Sequence, residues 1–541
     1  MLRGVPAARL SFLEALTECH HAADSQAHHE QQKKTPPQAC MLGKLPAVHI
    51  PKREGEQDHE SIEHVLRSGT LVLLVEVDTR QHLHHHGRDR GSRHPGKPAR
   101  YFPAGNGVAD PEQPGRAGQP DGYPTERGVE RGHRRQANRL PVMCALVSLC
   151  PMARVAITGA RLFDGSGAEP LEEQTIIWEA AEISWVGPDD EAPIGDSLAI
   201  PAEGGTVLPG LIDSHVHISL SPTPSGVDDV AEEPVSRTVI RAAHAASVLL
   251  RAGITTARDV GSREGVAIDI AAAQREGDLQ GARIIAAGRG ITPKGGHGQT
   301  IGVEVQGAGE VAGAVTEEIE RGADLIKIFP TGGVLGPGTH GYDIVMSADE
   351  VLAAVETAHE MGVLVAGHVH GPEGIELVLD AGIDTIEHGT AATADQAVRM
   401  MEEEVALIPT LVPIKAILQR EFELPRDLLK RAAKVDEVAA ASTATAIETG
   451  VMVLPGTDAG TPFNPPGQLV DEMTLLRDLG MTNAGVIAAA TSVAASVFGW
   501  DELGVLEAGQ VADLLVVEGD PLEDLGTLAW PLTIVQNGVV I

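Results

Sequence analysis

The stretch "VLPGLIDSHVHISL" covers residues 207–220 and leads from an apolar segment into two histidines. Side chains on a β-strand point alternately to opposite faces, so residues two apart point the same way. We therefore expect His215 and His217 to project together from the end of a buried strand. Such a pair either holds a metal ion or simply ends a strand, and the rest of the chain has to distinguish the two.

Strand-like and helix-like segments alternate on the C-terminal side of this stretch. One helical segment begins with Ser347 and Glu350 in the spacing of a capping box. Over residues 207–500 the alternation predicts an α/β fold, a (β/α)8 TIM barrel. A doubly wound open sheet is the alternative, but no dinucleotide-type glycine fingerprint follows the first strand. The eight strand candidates are "TVLPGLIDSHVHI", "GITTARDVG", "ARIIAAGRGIT", "DLIKIFPTGG", "VLVAGHVHG", "DTIEHGT", "ALIPTLVP" and "VMVLPGTDAG".

Short alternating strands flank this region on both sides. The segments "RVAITGARLFDG" and "QTIIWEAAEISWVGP" precede it, and "GVLEAGQVADLLVVEGDP" and "PLTIVQNGVVI" follow it. Glycine, proline and aspartate turn signals separate them. We expect residues 152–206 and 501–541 to form one small antiparallel β-sandwich domain assembled from both ends of this part of the chain.

Residues 1–151 have a different composition, rich in glycine, proline, arginine and histidine, with 13 of the 22 histidines. Neither helical nor strand periodicity persists there, so we expect a low-complexity, disordered segment. The alternative is an extension upstream of a misassigned start, with Met152 as the true beginning. Intact-mass analysis of the native protein distinguishes the two.

The net charge of −35 is distributed unevenly. The first 150 residues carry 20 basic and 17 acidic side chains, a charge of +3, which leaves −38 for the remainder. So acidic a surface disfavours binding to nucleic acid or to an anionic membrane. All four cysteines lie in the first 150 residues, and no signal peptide begins at Met1, so we expect a cytoplasmic protein.

Polar side chains lie at the ends of five predicted strands, where a (β/α)8 barrel gathers its active site. Only nine histidines follow Pro151, and five of them belong to this set. Each residue alone has a structural explanation, such as a core histidine or a turn aspartate. Together they predict a metal centre. The set comprises His215, His217, Lys327, His368, His370, His388 and Asp458.

Imidazole and carboxylate ligands suit two divalent ions such as Zn²⁺, which lower the pKa of bound water to roughly 7. The Lys327 ammonium would be repelled by such ions, whereas a deprotonated Lys327 can react with CO2 to give a carbamate that bridges them. Asp458 would be both a ligand and the general base.

The motifs "DSHVHIS", "IKIFPTGG", "GHVHG", "IEHGT" and "GTDAG", in this order, resemble those of the amidohydrolase superfamily over about residues 153–541. Its imidazolonepropionase-like subgroup, which includes metal-dependent Xaa-Pro dipeptidases, is similar in "IKIFPTGGVLGPG" and "GHVHGPEGIELVLDAGIDTIEHGT". The resemblance implies a binuclear site with carboxylated Lys327 as the bridge. The implied ligands of one ion are His215, His217 and Asp458, and those of the other are His368 and His388.

Either His368 or His370 can be the ligand from the fifth strand, since both face the same side; the resemblance favours His368 and leaves His370 for substrate. His297, Tyr342 and His340 are further candidates for substrate binding. The sequence thus predicts a hydrolase of carbon–nitrogen bonds that acts on a small molecule, an amide, dipeptide or cyclic amide, and forms a homo-oligomer. A deaminase or lactonase on the same scaffold is the alternative, and a noncatalytic assembly subunit is a third.

Overall fold

The computed structural model describes residues 154–334 and 341–541. The predictions for residues 1–151, including disorder and a misassigned start, lie outside the described residues, as does that for His340.

Seventeen β-strands lie within the described ranges and form three hydrogen-bonded sheets of eight, six and three strands. Numbered in chain order, they are β1 (Arg154–Leu162), β2 (Leu171–Glu179), β3 (Glu182–Pro188), β4 (Leu198–Pro201), β5 (Thr206–Pro209), β6 (Leu211–Val216), β7 (Ile254–Asp259), β8 (Arg283–Ala286), β9 (Gly290–Pro293), β10 (Gly302–Val305), β11 (Ile326–Ile328), β12 (Val365–His370), β13 (Thr385–Thr390), β14 (Ala406–Ile408), β15 (Leu514–Val517), β16 (Thr533–Gln536) and β17 (Val539–Val540).

Twelve α-helices lie in the same ranges, many of them between consecutive parallel strands. The capping box is confirmed, because the Ser347 hydroxyl accepts from the Glu350 N–H and the Glu350 carboxylate accepts from the Ser347 N–H. None of the described helices is long and apolar enough to cross a membrane. They are α1 (Gly226–Glu232), α2 (Val235–Arg251), α3 (Val266–Arg275), α4 (Ala308–Glu320), α5 (Ala348–Glu360), α6 (Pro372–Asp380), α7 (Ala394–Glu402), α8 (Val412–Leu418), α9 (Arg426–Thr449), α10 (Leu469–Asp478), α11 (Asn483–Ala489) and α12 (Ser492–Val497).

The eight-stranded sheet combines strands from both ends of the described chain in the order β17-β16-β15-β5-β1-β2-β3, with β4 also paired to β1. We expected a purely antiparallel arrangement, but β4 and β5 run parallel to β1. The reason is that residues 189–197 carry the chain from β3 across to the far side of β1, and such a crossover allows parallel pairing.

The same sheet differs from the predicted sandwich, because hydrogen bonds join all eight strands into one sheet. A bridge between Glu182 and Val511 connects β3 with the segment that precedes β15, so the sheet curls around its own core. Fully buried side chains such as Ile157, Trp178 and Leu514 fill that core. The apolar faces of these strands are thus covered without a second sheet.

The inner strands pair in parallel, in one sheet of order β6-β7-β8 and another of order β10-β9-β11-β12-β13-β14. The segment predicted as the eighth strand, residues 451–460, is not a continuous strand. Val453 bridges Leu407 of β14, and Ala459 bridges Val216 of β6, both in parallel. The segment therefore links one edge of the six-stranded sheet to one edge of the three-stranded sheet.

The first predicted strand divides at Gly210 into β5, which joins the eight-stranded sheet, and β6, which joins the inner strands. A Cβ atom on Gly210 would lie 2.2 Å from Thr255 Oγ1, so the close approach of β7 requires glycine here. Because parallel strands end at the same edge of a sheet, β6, β11, β12 and β13 present their last residues together.

Candidate active site

The polar residues predicted from the sequence lie at the carboxyl ends of these inner strands. Six of them form two groups that contact each other through the rings of His215 and His388, whose centroids are 5.2 Å apart. We call His215, His217 and Asp458 the first corner, and His368, His370 and His388 the second corner. Lys327, on β11, is the seventh member of the predicted set.

The first corner is organised around the Asp458 carboxylate. Its Oδ1 lies 3.4 Å from His215 Nε2 and 3.3 Å from His217 Nε2. Burial would raise the pKa of Asp458, but the adjacent rings of His215 and His217 hold that pKa well below its usual range. Burial likewise lowers the pKa of His217, but Asp458, Asp259 and the Gly261 carbonyl together raise it above its usual value. The first corner is therefore an anionic centre flanked by two imidazoles.

Both histidines of the first corner are held from behind through Nδ1. His215 Nδ1 lies 2.6 Å from Glu387 Oε2, and His217 Nδ1 lies 2.8 Å from the Gly261 carbonyl oxygen. Each Nδ1 is thus directed away from Asp458 and each Nε2 towards it. Metal-bound histidines usually donate their other ring N–H to a carboxylate or a carbonyl in this way.

The second corner consists of three imidazoles packed ring against ring. The centroid of the His368 ring lies 4.7 Å from that of His370 and 4.6 Å from that of His388, and the His370 and His388 rings stack 5.0 Å apart. Burial lowers the pKa of His370 to about 3 and those of the other two well below the usual histidine range. All three rings are therefore neutral at neutral pH and have lone pairs for a metal.

Two sets of ligand atoms in the described residues are close enough to share a cation. His368, His370 and His388 form one set, and His215, His388 and Asp458 form the other. These sets differ from the two ligand groups expected from the sequence. His388 belongs to both sets, and His217 belongs to neither. Neither set distinguishes His368 from His370.

Lys327 is almost completely buried, and its Nζ has no hydrogen-bond partner among the described residues. The centroid of the Phe329 ring lies 5.4 Å from Nζ. Burial lowers the pKa of Lys327 to about 8, although Glu387 and Asp458 oppose the shift. An amine in these surroundings loses its proton far more readily than an exposed lysine.

The backbone is strained at two members of the set. His388 has φ 70° and Asp458 has φ 53°, in the left-handed region that residues other than glycine rarely adopt. Thr410, also in that region with φ 50°, supplies an Oγ1 atom 2.6 Å from His388 Nδ1. Such strain is concentrated at functional sites, where the surrounding structure holds it in place.

Two of the residues proposed for substrate, His297 and Tyr342, lie beside the second corner. The His297 ring is 4.5 Å from the His368 ring and 5.8 Å from the Phe329 ring. Tyr342 is 40% exposed, and its Cβ would be only 2.9 Å from a Cβ on Gly371, which follows His370. His297 and Tyr342 therefore both border the site from the solvent side.

Sequence reasoning missed three buried charged residues that support the site. Asp213 accepts from the Thr457 hydroxyl at 2.7 Å and from the Thr457 N–H at 3.0 Å, which ties β6 to the residue before Asp458. Burial raises the pKa of Asp213 to about 7. Glu387 and Arg258 form an ion pair of 3.0 Å in the interior. The sequence signal for these residues is a charged side chain inside an apolar strand segment. Burying a charge is costly unless it is paired, so such a residue indicates a partner in the interior.

The model of the amidohydrolase family matches residues 206–540 of this chain. A crystal structure of a Xaa-Pro dipeptidase with methionine bound in its active site is 31% identical with a TM-score of 0.66, and the match covers 72% of this chain and 100% of that one. A prolidase in complex with N-methylphosphonate-L-proline is 28% identical with a TM-score of 0.67, covering 72% and 99%. Ochratoxinase from Aspergillus niger is 26% identical over 424 residues, which are 70% of this chain and 84% of that protein.

The chain therefore belongs to the amidohydrolase family. The prediction of a hydrolase that acts on carbon–nitrogen bonds is confirmed. The likeness to these structures also confirms an α/β fold of the TIM-barrel type.

Proposed function

We propose that the protein is a metal-dependent amidohydrolase that cleaves the amide bond of a dipeptide, an N-acyl amino acid or a cyclic amide. The observation that carries the proposal is the set of buried polar atoms without partners at the meeting of the two corners. His215 Nε2, Lys327 Nζ and His370 Nδ1 have no hydrogen-bond partner within residues 154–334 and 341–541. Leaving such atoms unpaired is costly. Divalent ions with a carbamate on Lys327 would supply the partners of His215 and Lys327, and the substrate would supply that of His370.

We assign the ligands as two sets. His215, His217 and Asp458 would hold one ion, in agreement with the convergence of both Nε2 atoms on Asp458 Oδ1. His368 and His388 would hold the other, with His370 turned to the substrate. Zn²⁺ is the proposed ion because the donors are imidazoles and carboxylates, and no cysteine follows Cys150.

Lys327 would bridge the two ions as a carbamate. The neutral amine attacks CO2, a nitrogen–carbon bond forms, and the nitrogen releases one proton, so the side chain becomes an anion. The lowered pKa of Lys327, about 8, supports this step because it increases the fraction of neutral amine. The absence of a hydrogen-bond partner on Nζ leaves the amine free to react.

Divalent ions, when bound, polarise a carbonyl oxygen and acidify water at neutral pH. Asp458 would be the general base of the reaction, since its carboxylate stays ionised between two histidines. Its carboxylate takes the proton from the attacking water and delivers it to the leaving nitrogen. His370 of the second corner would hold the substrate together with His297 and Tyr342 on its solvent side, and His340 is proposed as a further substrate-binding residue.

The substrate class rests on the two kinds of similar protein. A Xaa-Pro dipeptidase and a prolidase are similar to this chain, and so is ochratoxinase. We therefore propose Xaa-Pro dipeptides and N-acyl amino acids as the first substrates to examine.

The finer architecture belongs to the same proposal. We propose a closed eight-stranded barrel over residues 207–500, closed by the bridges of Val453 and Ala459. Residues 152–206 with 501–541 would form a separate small β domain, and residues 1–151 an extension. A homo-oligomer in the cytoplasm completes the proposal.

The test combines metal analysis with substrate profiling on the full chain. We expect about two divalent ions per chain and release of proline or another amino acid from a dipeptide and N-acyl amino acid library. Chelation should abolish hydrolysis, and Zn²⁺ should restore it. Parallel assays for ammonia release from amino-heterocycles and for lactone opening address the deaminase and lactonase alternatives. Full activity in metal-free protein contradicts the proposal.

A further inference from the structure

A buried carboxylate behind the first corner determines which nitrogen of His215 faces the site. Glu387, on β13, is fully buried, and its Oε2 lies 2.6 Å from His215 Nδ1. The other ring nitrogen of His215, Nε2, lies 3.4 Å from Asp458 Oδ1 and has no hydrogen-bond partner in the part of the chain that the structure describes. The two sides of the ring are thus unequal, with one paired to an anion and the other open to the site.

The Glu387 carboxylate is itself immobilised by donors on its second oxygen. Arg258 Nη1 donates to Oε1 at 3.0 Å, and the Thr385 hydroxyl donates to the same oxygen at 2.8 Å. Arg258 Nη2 also donates to the Thr385 hydroxyl at 2.8 Å, and the guanidinium stacks 4.6 Å from the centroid of the Phe498 ring. Both oxygens of Glu387 are occupied, and the ion pair with Arg258 keeps the group a carboxylate, which can only accept.

Glu387 and His388 are consecutive residues of β13, and both lie close to the His215 ring. The conformation of the backbone explains how this is possible. Consecutive residues of a regular strand face opposite sides, so one of them should point away from His215. The left-handed φ of 70° at His388 and the irregular register between β12 and β13 interrupt that alternation. Glu387 and His388 therefore approach the same ring, one through the hydrogen bond to Nδ1 and the other at a ring distance of 5.2 Å.

We propose that Glu387, fixed by Arg258 and Thr385, is a positioning residue that keeps the proton of His215 on Nδ1 and directs the Nε2 lone pair into the first corner. The inference rests on the proposed metal-dependent function. A carboxylate acceptor at Nδ1 excludes the other neutral tautomer, in which Nε2 carries hydrogen and cannot bind a cation. Arg258 contributes through Glu387 by balancing its buried charge.

The substitution Glu387→Gln tests the inference because it preserves shape and removes the acceptor-only character. Either the new amide N–H faces His215 Nδ1 and reverses the tautomer, or it faces the Arg258 guanidinium and breaks the pair. We expect Zn²⁺ affinity at the tighter site, measured by chelator competition, to fall roughly 10- to 100-fold. Where the amide N–H faces His215, the ¹⁵N spectrum of the metal-free protein should also lose the Nδ1–H signal of His215, assigned by comparison with His215→Gln.

Glu318→Gln is the matched control, since Glu318 is also fully buried and paired with arginines, Arg289 at 2.7 Å and Arg321 at 2.8 Å, on α4. Its substitution should leave Zn²⁺ affinity within about twofold of the unchanged protein. If Glu387→Gln does not fold, Thr385→Val removes one donor to Oε1 and one acceptor for Arg258, and should weaken affinity about tenfold at most.

The outcomes separate the inference from the function on which it rests. If the unchanged protein binds no divalent ion, the proposed function fails. If the unchanged protein binds Zn²⁺ and a folded Glu387→Gln variant binds it equally well with the same His215 tautomer, the positioning role is wrong. Unchanged affinity in Thr385→Val, when Glu387→Gln does not fold, also overturns the inference.

Discussion

The first corner and the second corner are built around the same kind of ring but differ in charge. In the first corner, Asp458 lies between two histidines, and the carboxylate of Glu387 lies behind His215. In the second corner, the three rings contact each other, and the group behind His388 is the uncharged hydroxyl of Thr410. The first corner therefore attracts a cation through fixed negative charge, and the second through lone pairs alone.

The difference in charge gives Lys327 its importance. A divalent ion among neutral imidazoles keeps its full charge in a buried site, which is unfavourable unless an anion is close by. No carboxylate among the described residues belongs to the second corner, whereas Lys327 can become an anion by carboxylation. We therefore expect the second corner to depend on Lys327 more strongly than the first.

The largest expected effect is that of Lys327→Ala. Both ions lose a shared ligand, so the decrease in kcat/KM should exceed the roughly 10²- to 10⁴-fold contribution of a single proton-transfer group. Metal analysis should show the greater loss at the second corner, with partial rescue of activity by short carboxylic acids. Lys415→Ala is the control, because Lys415 pairs with Asp436 at 2.7 Å on neighbouring helices. Two ions and undiminished activity in Lys327→Ala would remove the bridge from the mechanism.

Asp458→Asn tests the charge of the first corner and the identity of the base. The amide keeps the shape of the side chain but cannot accept the proton, so kcat should fall about 10²- to 10⁴-fold. At least one ion should remain, because the second corner lacks Asp458. Metal content and kcat are measured on the same sample. Normal turnover at full metal content would show that another group is the base.

The grouping of the strand-end residues can be predicted from the sequence, because the prediction needs only the alternation of side-chain direction along each strand. His215 faces the same way as His217, with ring centroids 5.2 Å apart, and His368 faces the same way as His370. Glu387 could not be predicted, because the left-handed backbone of His388 breaks the alternation on which such a prediction depends.

The fold is predictable to a similar extent. The prediction fails where strands pair with distant parts of the chain. Periodicity indicates the strands, but it does not reveal that β4 and β5 return beside β1 in parallel. Nor does it show that residues 451–460 form only two bridges, since an apolar run reads as a strand whether or not it finds a continuous partner. Both features depend on contacts between distant parts of the chain.

The comparison of His368→Asn with His370→Asn sharpens the description of the second corner. If His368 is the ligand, its substitution should remove about one ion per chain and most activity. His370→Asn should retain the metal and raise KM about tenfold, the value of one hydrogen bond to substrate. Metal content and separate kcat and KM values distinguish the two. The reverse pattern would exchange the roles of these residues.

The smallest expected effect concerns Thr410, the counterpart in the second corner of Glu387 in the first. Its Oγ1 lies 2.6 Å from His388 Nδ1, and Thr410→Val removes this hydroxyl at nearly constant volume. Valine is β-branched like threonine, so the left-handed φ of 50° is equally strained in both and the backbone cost cancels. Because a neutral hydroxyl orients the ring less strongly than a carboxylate, Zn²⁺ affinity at the second corner should fall roughly tenfold, the lower end of the range for such supporting groups. Thr410→Ser keeps the hydroxyl and should bind Zn²⁺ like the unchanged protein. A loss in Thr410→Val as large as that in Glu387→Gln would mean that charge behind the ring does not distinguish the corners.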